Sequence, residues 1–135
     1  MTTAFLIGAI VFGIGVLILL SRFGRRLVQP ISGRYFEKKW TELLSRVKTS
    51  EGMALAIIDA DKLLDEALKR KGYKGKTMGE RLVAAQRALS NNDGIWYAHK
   101  LRNRLVHEPS ARLRKNEAKN ALAGIKQGLQ DLGAL

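Results

Sequence analysis

Apolar residues along the chain follow two different patterns. From Ala4 to Leu20 they form an unbroken run. At about 1.5 Å per helical residue this run reaches roughly 26–30 Å, and Phe23 extends it, which suits a single helix crossing a bilayer core. Beyond it the apolar positions recur every three or four residues, the spacing of helices with one buried face. Phe36, Trp40, Leu43, Leu44 and Val47 mark one such face. Met53, Ile57, Ala60, Leu64, Ala67 and Leu68 mark a second, with Gly72 as its natural stop. A third helix opens at Thr77 and Glu80, a capping-box pair. A fourth covers Trp96 to about Pro109, and a fifth, from about Ser110, buries Ala118, Ala121, Leu122, Ile125, Leu129 and Leu132. No strand pattern, internal repeat or low-complexity tract stands out. The expected fold is all-α: a transmembrane anchor over residues 1–23, a basic linker over 24–33 broken by Pro30 and loosened by Gly33, and an antiparallel four- to five-helix bundle over 34–135.

Charge orients this picture. The formal net charge is +12, and every Lys and Arg follows Leu20. Arg22, Arg25 and Arg26 flank the apolar run on its C-terminal side, where a secretory signal peptide would carry its charge before the run and a small-residue cleavage site after it. The positive-inside rule therefore places the N-terminus outside and the rest in the cytoplasm, as a single-pass protein of the cytoplasmic membrane. The same three arginines suit anionic lipid head groups. Ala4, Gly8 and Gly15 share a helical face and Ala9 and Gly13 form a small-x-x-x-small pair, a weak sign of packing between spans. A basic domain favours anionic partners, meaning nucleic acid or the acidic face of a membrane.

Several chemistries fall away. The chain has no cysteine, so disulfides and thiolate metal sites are excluded. Gly75-Lys76-Thr77 imitates part of a phosphate-binding loop, but the required glycine five positions earlier is Arg70 and no strand precedes it. Lys69, Arg70, Lys71, Lys74 and Lys76 read instead as a solvated basic loop that touches a polyanion in passing. His99 and His107 stand eight residues apart, about 12 Å along a helix, too far to share one ion within a chain. No metal or other cofactor is expected.

The densest chemistry is WYAHKLRNRLVHEP, Trp96 to Pro109, which contains both histidines of the chain. At about 100° per residue, Tyr97, Ala98, Leu101 and Leu105 form the face turned inward. Trp96, His99, Asn103 and His107 form the opposite face, with Asn103 and His107 one turn apart and Arg102 on the flank beside Ile95 and Val106. An outward stripe of this kind suits a second surface, either another copy of the chain or a bound anion.

The segment LRNRLVHE resembles the signature of the HEPN superfamily, an Arg followed by a polar residue and, after four to six intervening residues, a His. Arg102, Asn103 and His107 match it. The resemblance covers roughly Thr49 to the C-terminus and rests on a short motif in an all-helical setting. It implies a homodimer in which the two motif helices meet, with Trp96 and His99 near the two-fold axis, and in many members a metal-independent endoribonuclease. The implied roles suit the residues. A histidine can give or take a proton near neutrality. Arg102 would hold the phosphate through its planar fork of donors, and Asn103 would bond a phosphate oxygen or fix the His107 ring. Trp96, His99, Lys100 and Arg104 would contact RNA. A membrane anchor and the lack of a fused nucleotidyltransferase domain depart from the family pattern. The alternative is a non-catalytic, membrane-tethered module that binds RNA or protein, or a lipid-binding collar.

Overall fold

The computed structural model describes residues 2–25, 30–108 and 110–135. Among them the chain forms six helices and no strand. α1 spans Thr2–Arg25, α2 Gly33–Leu44, α3 Ser50–Arg70, α4 Met78–Ala85, α5 Asn92–His107 and α6 Lys115–Asp131. Residues 26–29 of the basic linker and Pro109 lie outside the described residues. Pro30 is non-helical as expected, but Gly33 is the first residue of α2 rather than part of a loose linker.

α1 is long and apolar enough to cross a membrane, over Thr3–Ser21. Its large side chains are exposed, from Val16 at 38% to Phe5 at 83%. Each exposed apolar side chain costs on the order of 1.5–3 kcal/mol relative to burial, so a helix of this composition requires apolar surroundings. A bilayer supplies them; a signal sequence satisfies the same criteria of length and composition.

The remaining helices share one core. α3 is its axis and packs against α2, α4, α5 and α6, while α5 also packs along α6. Ile57, Leu64 and Leu68 of α3 are wholly buried with Phe36, Ile95, Ile125 and Leu129. Thr49 caps α3 by accepting from the Gly52 N–H at 3.0 Å. The helix stops at Gly72, whose φ of 86° lets Tyr73 N–H reach the Leu68 carbonyl at 3.1 Å. Thr77 caps α4 as the sequence implies, accepting from Glu80 N–H at 3.2 Å, although the Glu80 carboxylate turns back to Lys76 N–H rather than to Thr77. α5 and α6 approach so closely at Gly124 that an added Cβ would stand 2.6 Å from the Gly94 carbonyl oxygen.

Three further expectations of the sequence need correction. Leu44 is 39% exposed, because α2 ends there and its last turn leaves the core. α6 begins at Lys115, not near Ser110: Arg114 is its N-cap, and the Glu117 carboxylate accepts from the Arg114 N–H at 3.0 Å. The largest correction concerns α5. Tyr97, assigned inward, is 41% exposed, while Ile95 is buried and Trp96, His99 and Asn103, assigned outward, are half-buried. A single-face reading assumes one neighbour. α5 has two, α6 and α3, so a wider arc of its surface is covered and the apolar stripe turns toward Ile95, Ala98 and Leu101.

Candidate functional site: a cleft between α3, α4 and α5

The covered arc of α5 borders an open cleft of about 440 Å³. α3 contributes Asp61, Lys62 and Asp65; the α3–α4 loop and α4 contribute Lys76, Thr77, Met78, Gly79 and Arg81; α5 contributes His99, Arg102 and Asn103.

At its base is Asp61, 3% exposed. It stands one turn after Ile57 and one before Leu64, within the apolar register of α3. A carboxylate in that position is costly unless it is paired and hydrogen-bonded. Its partners come from α5. His99 Nδ1 lies 3.0 and 3.2 Å from the two Asp61 oxygens, and Arg102 Nε lies 3.5 Å from Oδ2. Arg102 also donates from Nη1 to Asn103 Oδ1 at 2.8 Å, which draws the two motif residues into one hydrogen-bonded unit. The Trp96 ring stands edge-on to His99, centroids 6.0 Å apart, and rests against Gly79 of α4.

A second ion pair builds the opposite wall. Arg81, 7% exposed, donates to Asp65 from Nε at 2.6 Å and Nη2 at 2.9 Å, and to the Gly75 carbonyl from Nη1 at 2.6 Å. This fork ties α4 and the basic loop to α3. Burial pushes the Asp65 carboxyl upward, but hydrogen bonds from Arg81 and Lys69 outweigh it and hold the group below the usual 3.8. Lys62 and Lys76 line the cleft with exposed side chains and no ion-pair partner among the described residues.

The residues singled out in the sequence thus divide. The cleft brings together His99, Arg102 and Asn103, with Trp96 behind His99. His107 does not line it: the residue ends α5, is exposed, and makes no hydrogen bond to Asn103 among the described residues. Lys100 and Arg104 border a separate, smaller hollow with Tyr97, Leu101 and Glu117. There Arg104 Nη2 donates to Glu117 Oε1 at 3.0 Å. The hydrogen bond from Arg114 N–H, then that from Arg104, lowers the Glu117 carboxyl. Asp61 is the residue that motif reading missed; its signal was an acid at an apolar position of a helical repeat.

Chemically, the cleft offers an imidazole anchored by a buried carboxylate, a guanidinium one helical turn away, and two lysines at the margin. That set can bind a phosphodiester and move a proton beside it. Compared with protein-family models, curated proteins and solved structures, the chain finds no match among them.

Proposed function

We propose that this is a membrane-anchored, HEPN-like protein whose domain beyond the anchor cleaves RNA without a metal ion, by attack of a ribose 2′-hydroxyl on the adjacent phosphate. The observation that carries the reading is the joined pair Arg102–Asn103 at a basic-rimmed cleft, with a histidine on the next turn of the same helix. Arg102 binds the phosphate and the charge that grows on its oxygens. Asn103, its amide oxygen engaged by Arg102, offers its amide hydrogens to the same group. His107, exposed at the end of α5, serves as the proton-transfer group, and two chains meeting along α5 supply two of them. Val106, exposed one residue before His107, suits such a contact.

α1 forms the anchor, the residues between α1 and α2 a linker close to anionic lipid, and α2 to α6 an antiparallel bundle. The arginines that follow the apolar run favour an N-terminus outside and a cytoplasmic bundle over a cleaved signal peptide. The test is incubation of the purified chain, in detergent micelles with a metal chelator, with single-stranded RNA and with DNA of the same sequence. RNA products ending in a 2′,3′-cyclic phosphate, with DNA intact, are expected, since only RNA carries the attacking hydroxyl. Salt-dependent RNA binding without cleavage would replace the enzyme by a tethered binding module, and binding only to anionic vesicles would replace it by a lipid-binding collar.

A further inference from the structure

In the reading above every proton transfer falls to His107, yet the histidine that borders the cleft is His99. We propose that Asp61 and His99 form a carboxylate–imidazole dyad in which His99 Nε2 is the general base for the ribose 2′-hydroxyl, an inference that rests on the ribonuclease reading.

The geometry is specific. Both Asp61 oxygens lie within 3.2 Å of His99 Nδ1, and the carboxylate is 3% exposed. With Nδ1 donating to that carboxylate, the neutral ring carries its lone pair on Nε2, so the buried acid fixes the tautomer that accepts a proton. Nε2 has no hydrogen-bond partner among the described residues, and the His99 side chain, 15% exposed, lines the open cleft. The edge of Trp96 restricts rotation of the ring. This is the arrangement by which a buried carboxylate orients a histidine base in acyl-transfer triads, reached here from two helices.

The neighbours complete it. Arg102 follows His99 by one turn and leans on the same carboxylate, which places the phosphate-binding group beside the base within one chain. The charged groups lining the cleft around His99 are Asp61, Lys62 and Asp65 of α3, Lys76 and Arg81 from the loop and α4, and Arg102 of its own helix. His107 lies about 12 Å further along the axis, so one chain cannot place both imidazoles on one phosphate. The step balances as follows. His99 Nε2 takes the 2′-hydroxyl proton as O2′ bonds to phosphorus; the bond from phosphorus to O5′ breaks. O5′ leaves with a proton from the imidazolium of a second chain's His107, and exchange with solvent resets both rings.

Two substrates separate base from acid. A dinucleotide has an alkoxide leaving group that needs a proton; uridine 3′-(4-nitrophenyl phosphate) releases a phenolate that does not. With the full chain in micelles, His99→Gln is expected to slow both by about 10²–10⁴-fold, the usual worth of a general base. His107→Ala is expected to slow the dinucleotide comparably and the aryl ester by less than about tenfold. Because altering His99 strips Asp61 of its main partner, the unaltered chain supplies an independent readout. In imidazole ¹⁵N spectra, uridine 3′-phosphate should shift His99 Nε2 and leave its Nδ1 in place, and the His107→Ala chain assigns the two rings. A folded His99→Gln chain as fast as the parent on both substrates, or an unmoved Nε2 resonance, would overturn the dyad and leave the ribonuclease reading standing. A parent chain that cleaves neither substrate would sink both.

Discussion

Single residues decide whether the cleft is a built site or an incidental hollow, and Asp61 is the most informative of them. Two aspartates of α3 illustrate the point. Asp59 pairs with Arg46 at 2.6 Å, but both side chains are at least 40% exposed. Asp61 is buried on the core side and serves two α5 side chains. Asp59→Ala should therefore cost no more than about 1 kcal/mol, since exposed pairs contribute little. Asp61→Ala should cost about 2–3 kcal/mol, short of the 3–5 kcal/mol seen when one partner of a fully buried pair is removed, because Arg102 keeps contact with water. Urea unfolding of the two variants checks the ordering; equal losses would mean that Asp61 is not a structural centre of the cleft. Asp65 adds a pH signature. Its folded value is depressed, so its contribution is fully present above the ordinary 3.8 and disappears as pH falls through the lower folded value. The gap in melting temperature between the parent and Asp65→Asn should be constant above about pH 5 and close below about pH 3.8. A gap that widened in acid would contradict the direction. These residues also mark the limit of sequence reading. Arg102 and Asn103 were legible as a motif, whereas the pairing of Asp61 with His99 joins residues on different helices, and nothing local to either reveals it.

At the scale of elements, periodicity located most of the helices well. The apolar register of α3 from Met53 to Leu68 is its buried or half-buried face, and Gly72 ends the helix by a positive φ. Legibility failed where the number of neighbours mattered. The angular reading of α5 put Tyr97 inside and His99 outside because it allowed one packing partner, and α3 and α6 together cover both flanks. It failed again at α6, where the cap is Arg114 with Glu117 and lacks the usual Ser or Thr signal. The α5–α6 contact gives a test of its own. A methyl group at Gly124 would meet the Gly94 carbonyl at 2.6 Å, so Gly124→Ala must push the helices apart. A loss of about 1–3 kcal/mol is expected, as for overpacked cores generally. Gly133→Ala, with open space but a φ of 73°, strains only the backbone and should cost less, about 1 kcal/mol. Chemical denaturation compares the two.

For the whole molecule, the two halves of the chain call for different surroundings. The apolar side chains of α1 need a non-aqueous phase, and the +12 charge lies entirely beyond Leu20. On the proposed topology, protease added to the cytoplasmic face of sealed vesicles should digest residues beyond the linker, and protease added to the outer face should leave them intact; the reverse pattern would invert the orientation. On that proposed topology, tethering would hold the cleft in a thin layer near the membrane, where anionic lipid and RNA would compete for the same lysines and arginines. Lys74, exposed on the basic loop, should accordingly tune RNA affinity through salt alone: Lys74→Ala should weaken binding and flatten its salt dependence without changing the cleavage rate at saturation.

The most direct measurement is the rate at which the chain cuts single-stranded RNA with a chelator present, with and without Arg102. The expected result is cleavage to a 2′,3′-cyclic phosphate by the parent, lost by about 10²–10³-fold in a folded Arg102→Ala chain, the worth of one group that stabilises developing charge. Absence of cleavage by the parent, or cleavage that persists unchanged without Arg102, would contradict the catalytic reading of the cleft.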